Sequence, residues 1–290
     1  PGEKPVIDGS ARIDGWVETK INGRDAWVAE VPEVINDGWS FRELFVNGER
    51  RTRPRYPKKE LFTMESVPGL PERGSWQSGH GYTRFIAREG DIRQFEQLEE
   101  IDVVYLHFWI EERTGIESYD STSRTVTMKR PSAAPLFAQS GSALADYYLD
   151  NVFEELTEPG EWYLDRTAGK VYYIPKPGES ISSVEIKAPK ALQLIALKGN
   201  PESNEFVEFL RFEGITFQHT DWRHPDASDG AAFITVGGDH SKFESRRHYR
   251  GNKAAANQAA CDVPGVIFLE AARHCSFVDC TVQNVGWYGF

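Results

Sequence analysis

The chain is poor in everything that would staple it, thread it through a membrane or draw it to a polyanion. Its 290 residues include three cysteines, Cys261, Cys275 and Cys280. An odd and low count sets up no disulfide framework, and the spacing in CSFVDC does not fit the CxxC of zinc or redox sites. No apolar run is long enough to cross a bilayer as a helix, so no membrane span is expected. No signal peptide is visible, but the chain opens on Pro1 and closes on WYGF, which reads as a strand cut short. A processed chain or an excised fragment is therefore expected, with material missing at both ends.

Positive charge is also scarce. With 33 basic and 44 acidic residues the net charge is −11, which disfavours nucleic acid as a partner because phosphate binding needs a basic face. One basic run, Arg50, Arg51, Arg53, Arg55, Lys58 and Lys59, is expected to be a solvated strand edge. Helical periodicity is rarer still. The best case is 144–156, LADYYLDNVFEEL, where Leu144, Tyr147, Tyr148, Asn151, Val152 and Leu156 share one helical face.

What is present is turn chemistry and strand texture. There are 25 glycines and 16 prolines, and they punctuate short apolar runs along the whole chain. Asn22-Gly23 and Asn47-Gly48 sit between apolar residues and predict hairpins. In FRELFVNGERRTRPRYP, Pro54 and Pro57 place the second strand at a sheet edge. DVVYLHFWIEE (102–112) reads as one strand buried on both faces, and RTVTMKRP (124–131) as its half-buried partner. GEWYLDRTAGKVYYIP predicts two strands about a turn ending in Gly169, with Trp109 and Trp162 inside the same core.

The texture changes near residue 186, and a repeat emerges. TFQHTDW (216–222) and TVQNVGW (281–287) share Thr, Gln and Trp at an offset of 65, and Phe212 recurs as Phe277 at the same offset. Each copy follows a similar order of short strands. A solenoid explains this, because each coil buries an apolar face only by stacking on the next. Ile215/Cys280 and Phe217/Val282 are then interior rungs, and Thr216/Thr281 and Gln218/Gln283 point outward, as period-two alternation requires. The fold class expected is all-β: a partial, truncated right-handed parallel β-helix with an inserted antiparallel β-sandwich-like module. Residues 1–30 are expected to supply the first β-helix strands, 31–185 the inserted module with one helix, and 186–290 the coils, with a long loop at 238–262.

Several stretches resemble one family: FRELFVNGERRTRPRYP, DNVFEELTEPGEWYLDRTAGKVYYIPKPGE, FEGITFQHTDW and NVGWYGF. Together they resemble the right-handed parallel β-helix glycoside hydrolases that carry an inserted β-sandwich, specifically glycoside hydrolase family 141, which includes fucosidase and xylanase activities. The resemblance implies a secreted or periplasmic enzyme that degrades polysaccharide. Members of the group are longer and carry catalytic carboxylates on later rungs, which leaves open whether the acid and its partner lie within this chain.

Glycoside hydrolysis needs two carboxyl groups, roughly 5–5.5 Å apart for retention or 6.5–9.5 Å for inversion. Rungs stacked about 4.8 Å apart suit either spacing. Asp221, Asp226 and Asp229 follow the FQHT strand and are the candidate carboxyls, set against their ordinary use as turn residues. Trp222, Trp287 and Tyr288 are candidate sugar-stacking rings, with His219, His224 and Asn284 beside them for hydroxyls. The bland alternative is that these aromatics pack against the inserted module. The five-residue spacing of His219 and His224 matches no helical or same-face strand pair, and DASDG lacks the alternating acids of a calcium loop, so no metal and no cofactor is expected. Two other functions compete with hydrolysis. One is a polysaccharide lyase on the same fold, which needs a Lys or Arg base and a cation. The other is a non-catalytic carbohydrate-binding or adhesive β-helix.

Overall fold

The computed structural model describes residues 2–79, 81–222, 265–286 and 288–290. Strands dominate, and the one α-helix among the described residues, Pro32–Asn36, is a single short turn. The fold is all-β.

The repeat corresponds to stacking in space. Ile195–Lys198, Val207–Glu208, Arg211–Glu213 and Thr216–Gln218 make one circuit. Ile267–Glu270, Ala272–Arg273, Ser276–Val278 and Thr281–Gln283 follow the same circuit above it, each parallel to its counterpart. Phe212 pairs with Phe277, their rings 4.6 Å apart and within 8° of parallel. Phe217 pairs with Val282 and is fully buried. Val6–Asp8 lies on the opposite side of Thr216–Gln218, also in parallel, and adds a third layer. A polar ladder runs through the three layers: Gln283 Nε2 donates to Gln218 Oε1 at 2.8 Å, and Gln218 Nε2 donates to Asp8 at 3.1 Å.

The corners explain how such short strands can circulate. Phe209, Gly214 and His219 have φ of 60°, 67° and 59°, and their counterparts His274, Asp279 and Asn284 have 55°, 51° and 51°. A single left-handed residue bends the chain sharply between strands of two or three residues. Glycine adopts that conformation freely, whereas a bulky residue such as Phe209 does so only when its surroundings fix it. Here the Phe209 ring lies on His274, 5.1 Å away and 8° from parallel. The register offset is 65 for three of the strand pairs but 72 for Ile195–Lys198 against Ile267–Glu270. The lower circuit takes up the surplus in a small hairpin closed by Asn200 and Glu205, whose backbones bond at 2.7 and 2.8 Å.

The rest is antiparallel. One sheet runs Arg55–Tyr56, Asp146–Asp150, Asp102–His107, Ile110–Asp120, Thr125–Met128, Arg84–Ile86, with Phe62–Thr63 also pairing with Asp146–Asp150. Its core holds Phe85, Tyr105, Tyr147, Leu149 and Val126. A second sheet runs Trp162–Asp165, Lys170–Tyr173, Arg24–Glu30, Val17–Ile21, over a core containing Trp27, Trp162 and Tyr173. A third links the two parts of the molecule: Ser10–Arg12, Ile186–Pro189, Phe45–Val46, Glu49–Arg50. Both Asn-Gly pairs take left-handed φ and close hairpins, and Arg55–Tyr56 is an edge strand, as its prolines require.

Four expectations need correction. Residues 144–156 are not a helix: Asp146–Asp150 is a strand held by neighbours on both sides, followed by a 3-10 turn at Phe153–Glu155. The helical spacing was misleading because Tyr147 and Leu149 also alternate, and aromatic residues suit a pleated surface. Residues 102–112 are not one strand either. The chain reverses at Phe108-Trp109, and Trp109 is 52% exposed rather than in the core, while Trp162 is buried as expected. The basic run is not a solvated edge: Arg51 is buried against Tyr173, Glu49 and Glu179, and Lys58 bonds Glu161. Finally, of residues 1–30 only Val6–Asp8 joins the parallel stack, because Val17–Ile21 and Arg24–Glu30 complete the second antiparallel sheet.

Candidate functional site at the coil–module junction

Where Thr216–Gln218 ends, the chain runs His219-Thr220-Asp221-Trp222 against the module. The corner at His219 sends its ring inward. The imidazole packs on Phe45 at 4.3 Å, and Nδ1 lies 3.1 Å from an Asp8 oxygen. Burial opposes ionisation of Asp8, but hydrogen bonds from Ser10, Gln218 and His219 outweigh it and hold the carboxyl well below its usual range. With Asp8 ionised, His219 Nδ1 is the donor, and its buried Nε2 has no partner among the described residues. Thr220 Oγ1 accepts the Gly286 amide at 3.0 Å. Gly286 stands one repeat above Asp221, and a Cβ there would come within 2.3 Å of the Asp221 carbonyl, so only glycine permits this approach.

Asp221 is 6% exposed. Its carboxyl accepts the Arg42 amide at 3.1 and 3.3 Å. Arg42 is brought there because Phe41 stacks on Trp162 and Leu44 is fully buried, which anchors the loop on both sides. Burial pushes the Asp221 pKa up to about 7, against the pull of the Arg42 and Trp222 amides, and neighbouring Glu43 pushes the same way. Burial also raises Glu43, although Arg50 approaches it at 3.1 Å.

Beneath this pair lies a buried network. Arg53 bonds both Asp102, at 3.1 Å, and Asp150. Arg113 likewise reaches Asp102, at 3.3 Å, and Asp150, while Arg42 bonds Asp102. The Trp222 ring lies under two of these cations, with the Arg42 guanidinium 4.7 Å and that of Arg113 5.6 Å from its centre. Burial alone would raise both aspartates, but the arginines hold them low. Arg42 departs from the pattern: burial and repulsion from Arg53 and Arg113 outweigh its attraction to Asp102, and its pKa falls to about 10. A polar cavity of ≈ 440 Å³ opens beside the network, lined by Arg42, Arg53, Asp102, Asn151 and Arg166 among others.

The candidate residues thus divide. Asp221, Trp222 and His219 come together, but as a packed junction: His219 is committed to Asp8 and Trp222 to the arginines. Asn284 donates to the Gly48 carbonyl at 2.9 Å and so also ties coil to module. Tyr288 is exposed. Asp226, Asp229, His224, Trp287 and the loop 238–262 lie outside the described residues. Sequence reading missed Arg42, Glu43, Arg53 and Arg113. Arg53 stood within the basic run of the sequence, but its neighbours go elsewhere, Arg51 to Tyr173 and Glu179 and Arg55 to the Pro57 and Glu60 carbonyls, so the run did not announce the network.

Residues 90–176 match the family model of the GH141 insertion domain. A solved structure titled "Glycoside hydrolase" is similar to the chain with a TM-score of 0.58 and 26% identity, covering 78% of this chain. The chain spans 38% of that structure's length. No curated protein matches the chain.

Proposed function

We propose that this chain is the coil-and-module part of a glycoside hydrolase of the family 141 kind, exported from the cell and acting on polysaccharide. In this reading the stacked circuits belong to a right-handed parallel β-helix, and the antiparallel sheets are a module inserted in it. The observation that carries the proposal is the conjunction of the two: a parallel stack of like residues joined to a module whose sequence matches the GH141 insertion domain.

Asp221 supplies the acid. A carboxyl poised near neutrality is protonated often enough to give its proton to a glycosidic oxygen and acidic enough to release it. The partner carboxyl comes from Asp226 or Asp229, on the same segment. Trp287 and Tyr288 are the rings offered to the sugar faces and His224 a partner for hydroxyls, while Trp222, held under Arg42 and Arg113, is a positioning residue. His219 and Asn284 act as positioning residues, fixing the corner from which Asp221 projects.

The test is reducing-sugar release from xylan and from fucosylated oligosaccharides, with ultraviolet absorbance followed for any unsaturated product. Asp221→Asn is expected to lower kcat by about 10²-fold or more and to abolish the fall in rate as pH rises through about 7. Undiminished activity in that variant would make Asp221 purely structural. Unsaturated product would favour elimination over hydrolysis, and binding without product would favour a lectin-like role.

A further inference from the structure

A second feature lies at the far end of the module. Asp102–His107 and Ile110–Asp120 are joined by two residues only, Phe108 and Trp109, because His107 pairs directly with Ile110. Phe108 has φ of 51° at a position where hairpins ordinarily use glycine, and its amide bonds the Ala138 carbonyl at 2.6 Å. A bulky residue in that conformation is strained, and such strain persists where the surroundings impose it, often at ligand sites. The outcome of the turn is a tryptophan held outward. Trp109 is 52% exposed and Trp76 47%, and their rings meet edge to face with centres 6.0 Å apart. Beside them opens a cavity of ≈ 380 Å³, within the range of small-ligand sites.

The cavity is rimmed by acid. Leu106 pairs with Glu111 on one side and with Asp146 on the other, so the register sets two carboxylates in one row across three strands. Thr63 donates to Asp146 at 2.6 Å. The strand from Asp102 to His107 carries this tip roughly 17 Å from the buried arginines, at about 3.3 Å per residue.

We propose that the Phe108-Trp109 turn with Trp76 is a binding platform for a neutral polysaccharide chain, separate from the Asp221 junction. An indole face covers the C–H face of a pyranose, and Glu111 and Asp146 accept bonds from its hydroxyls. The same two carboxylates repel uronates, which sets the class of glycan. A protein partner would want a broader apolar surface than two rings ringed by acid. The proposal rests on the carbohydrate reading above for its ligand class only, and requires nothing of Asp221. A chain engaged at both places would dissociate from one without leaving the other, which raises its effective concentration at the junction.

The experiment is affinity electrophoresis of the whole chain in gels containing xylan, glucomannan or polygalacturonate, with tryptophan fluorescence titrations for affinity. The wild type is expected to bind one of the neutral polymers and to ignore polygalacturonate. Trp109→Ala is expected to weaken that binding at least about tenfold and Trp76→Ala by less, with melting temperatures unchanged because both rings are exposed. The hydrolase reading is scored by product release in Asp221→Asn and this one by binding in the tryptophan variants, so the two fail separately. Binding unchanged in both tryptophan variants, absence of binding to either neutral polymer, or preference for polygalacturonate would each overturn the proposal.

Discussion

In the coils like sits on like: Phe212 on Phe277, Thr216 on Thr281, Gln218 on Gln283. In the module opposite sits on opposite, with Arg53 and Arg113 between Asp102 and Asp150. Both regions are β-sheet, yet the first is stabilised by repetition of one packing unit and the second by a single irreplaceable arrangement of charge. A stack loses one rung at a time. A buried ionic network does not, since removing one member leaves another desolvated and unpaired.

The largest effect is therefore expected in the module. Asp150→Ala should cost about 3–5 kcal/mol in urea unfolding, because Arg53 and Arg113 lose a shared buried partner. A loss below 1 kcal/mol would mean that water reaches the network and the contrast fails. The junction comes next, through pH. Folded Asp221 releases its proton near 7, against an ordinary value of 3.8, so between those values only the folded chain holds it. Stability contributed there is present at low pH, declines as pH rises from about 4 to about 7, and is flat above, with a full span on the order of 4 kcal/mol. Asp102 and Asp150 act in the opposite sense, losing their contribution only as acid protonates them. Asp221→Asn should flatten the decline between pH 5 and about 7 in thermal melts, and a slope identical to wild type would refute the burial argument. The smallest effect is in the coils. A double-mutant cycle on Phe212→Ala and Phe277→Ala should show a coupling of about 0.5–1.5 kcal/mol, the value of one stacked pair. A coupling as large as the network's would show the coils to be no more divisible than the module.

The same contrast governs what could be read from the sequence. The stack was legible because its partners are alike and recur at a fixed offset, so Phe212 and Phe277 announce each other. Arg53 stands 49 residues from Asp102 and 97 from Asp150, and nothing in either neighbourhood names the other. Hairpins at Asn22-Gly23 and Asn47-Gly48 were legible because their left-handed residues are local requirements. The reversal at Phe108-Trp109 was hidden because a phenylalanine occupies the glycine position. Asp221 and Trp222 follow the end of the strand Thr216–Gln218, as their place in the sequence implies. That they face the module rather than open water depends on Arg42, which the sequence places far away.

The surplus hairpin closed by Asn200 and Glu205 bears on how such a molecule grows. Beyond it, Val207, Phe212 and Phe217 return to the register they would have held without it. A bend that can lengthen while the segments downstream keep their partners is a permissive site for new sequence. Accessory parts can then accrue at the bends by successive small additions, each answerable only to its own folding and never to the alignment of the whole.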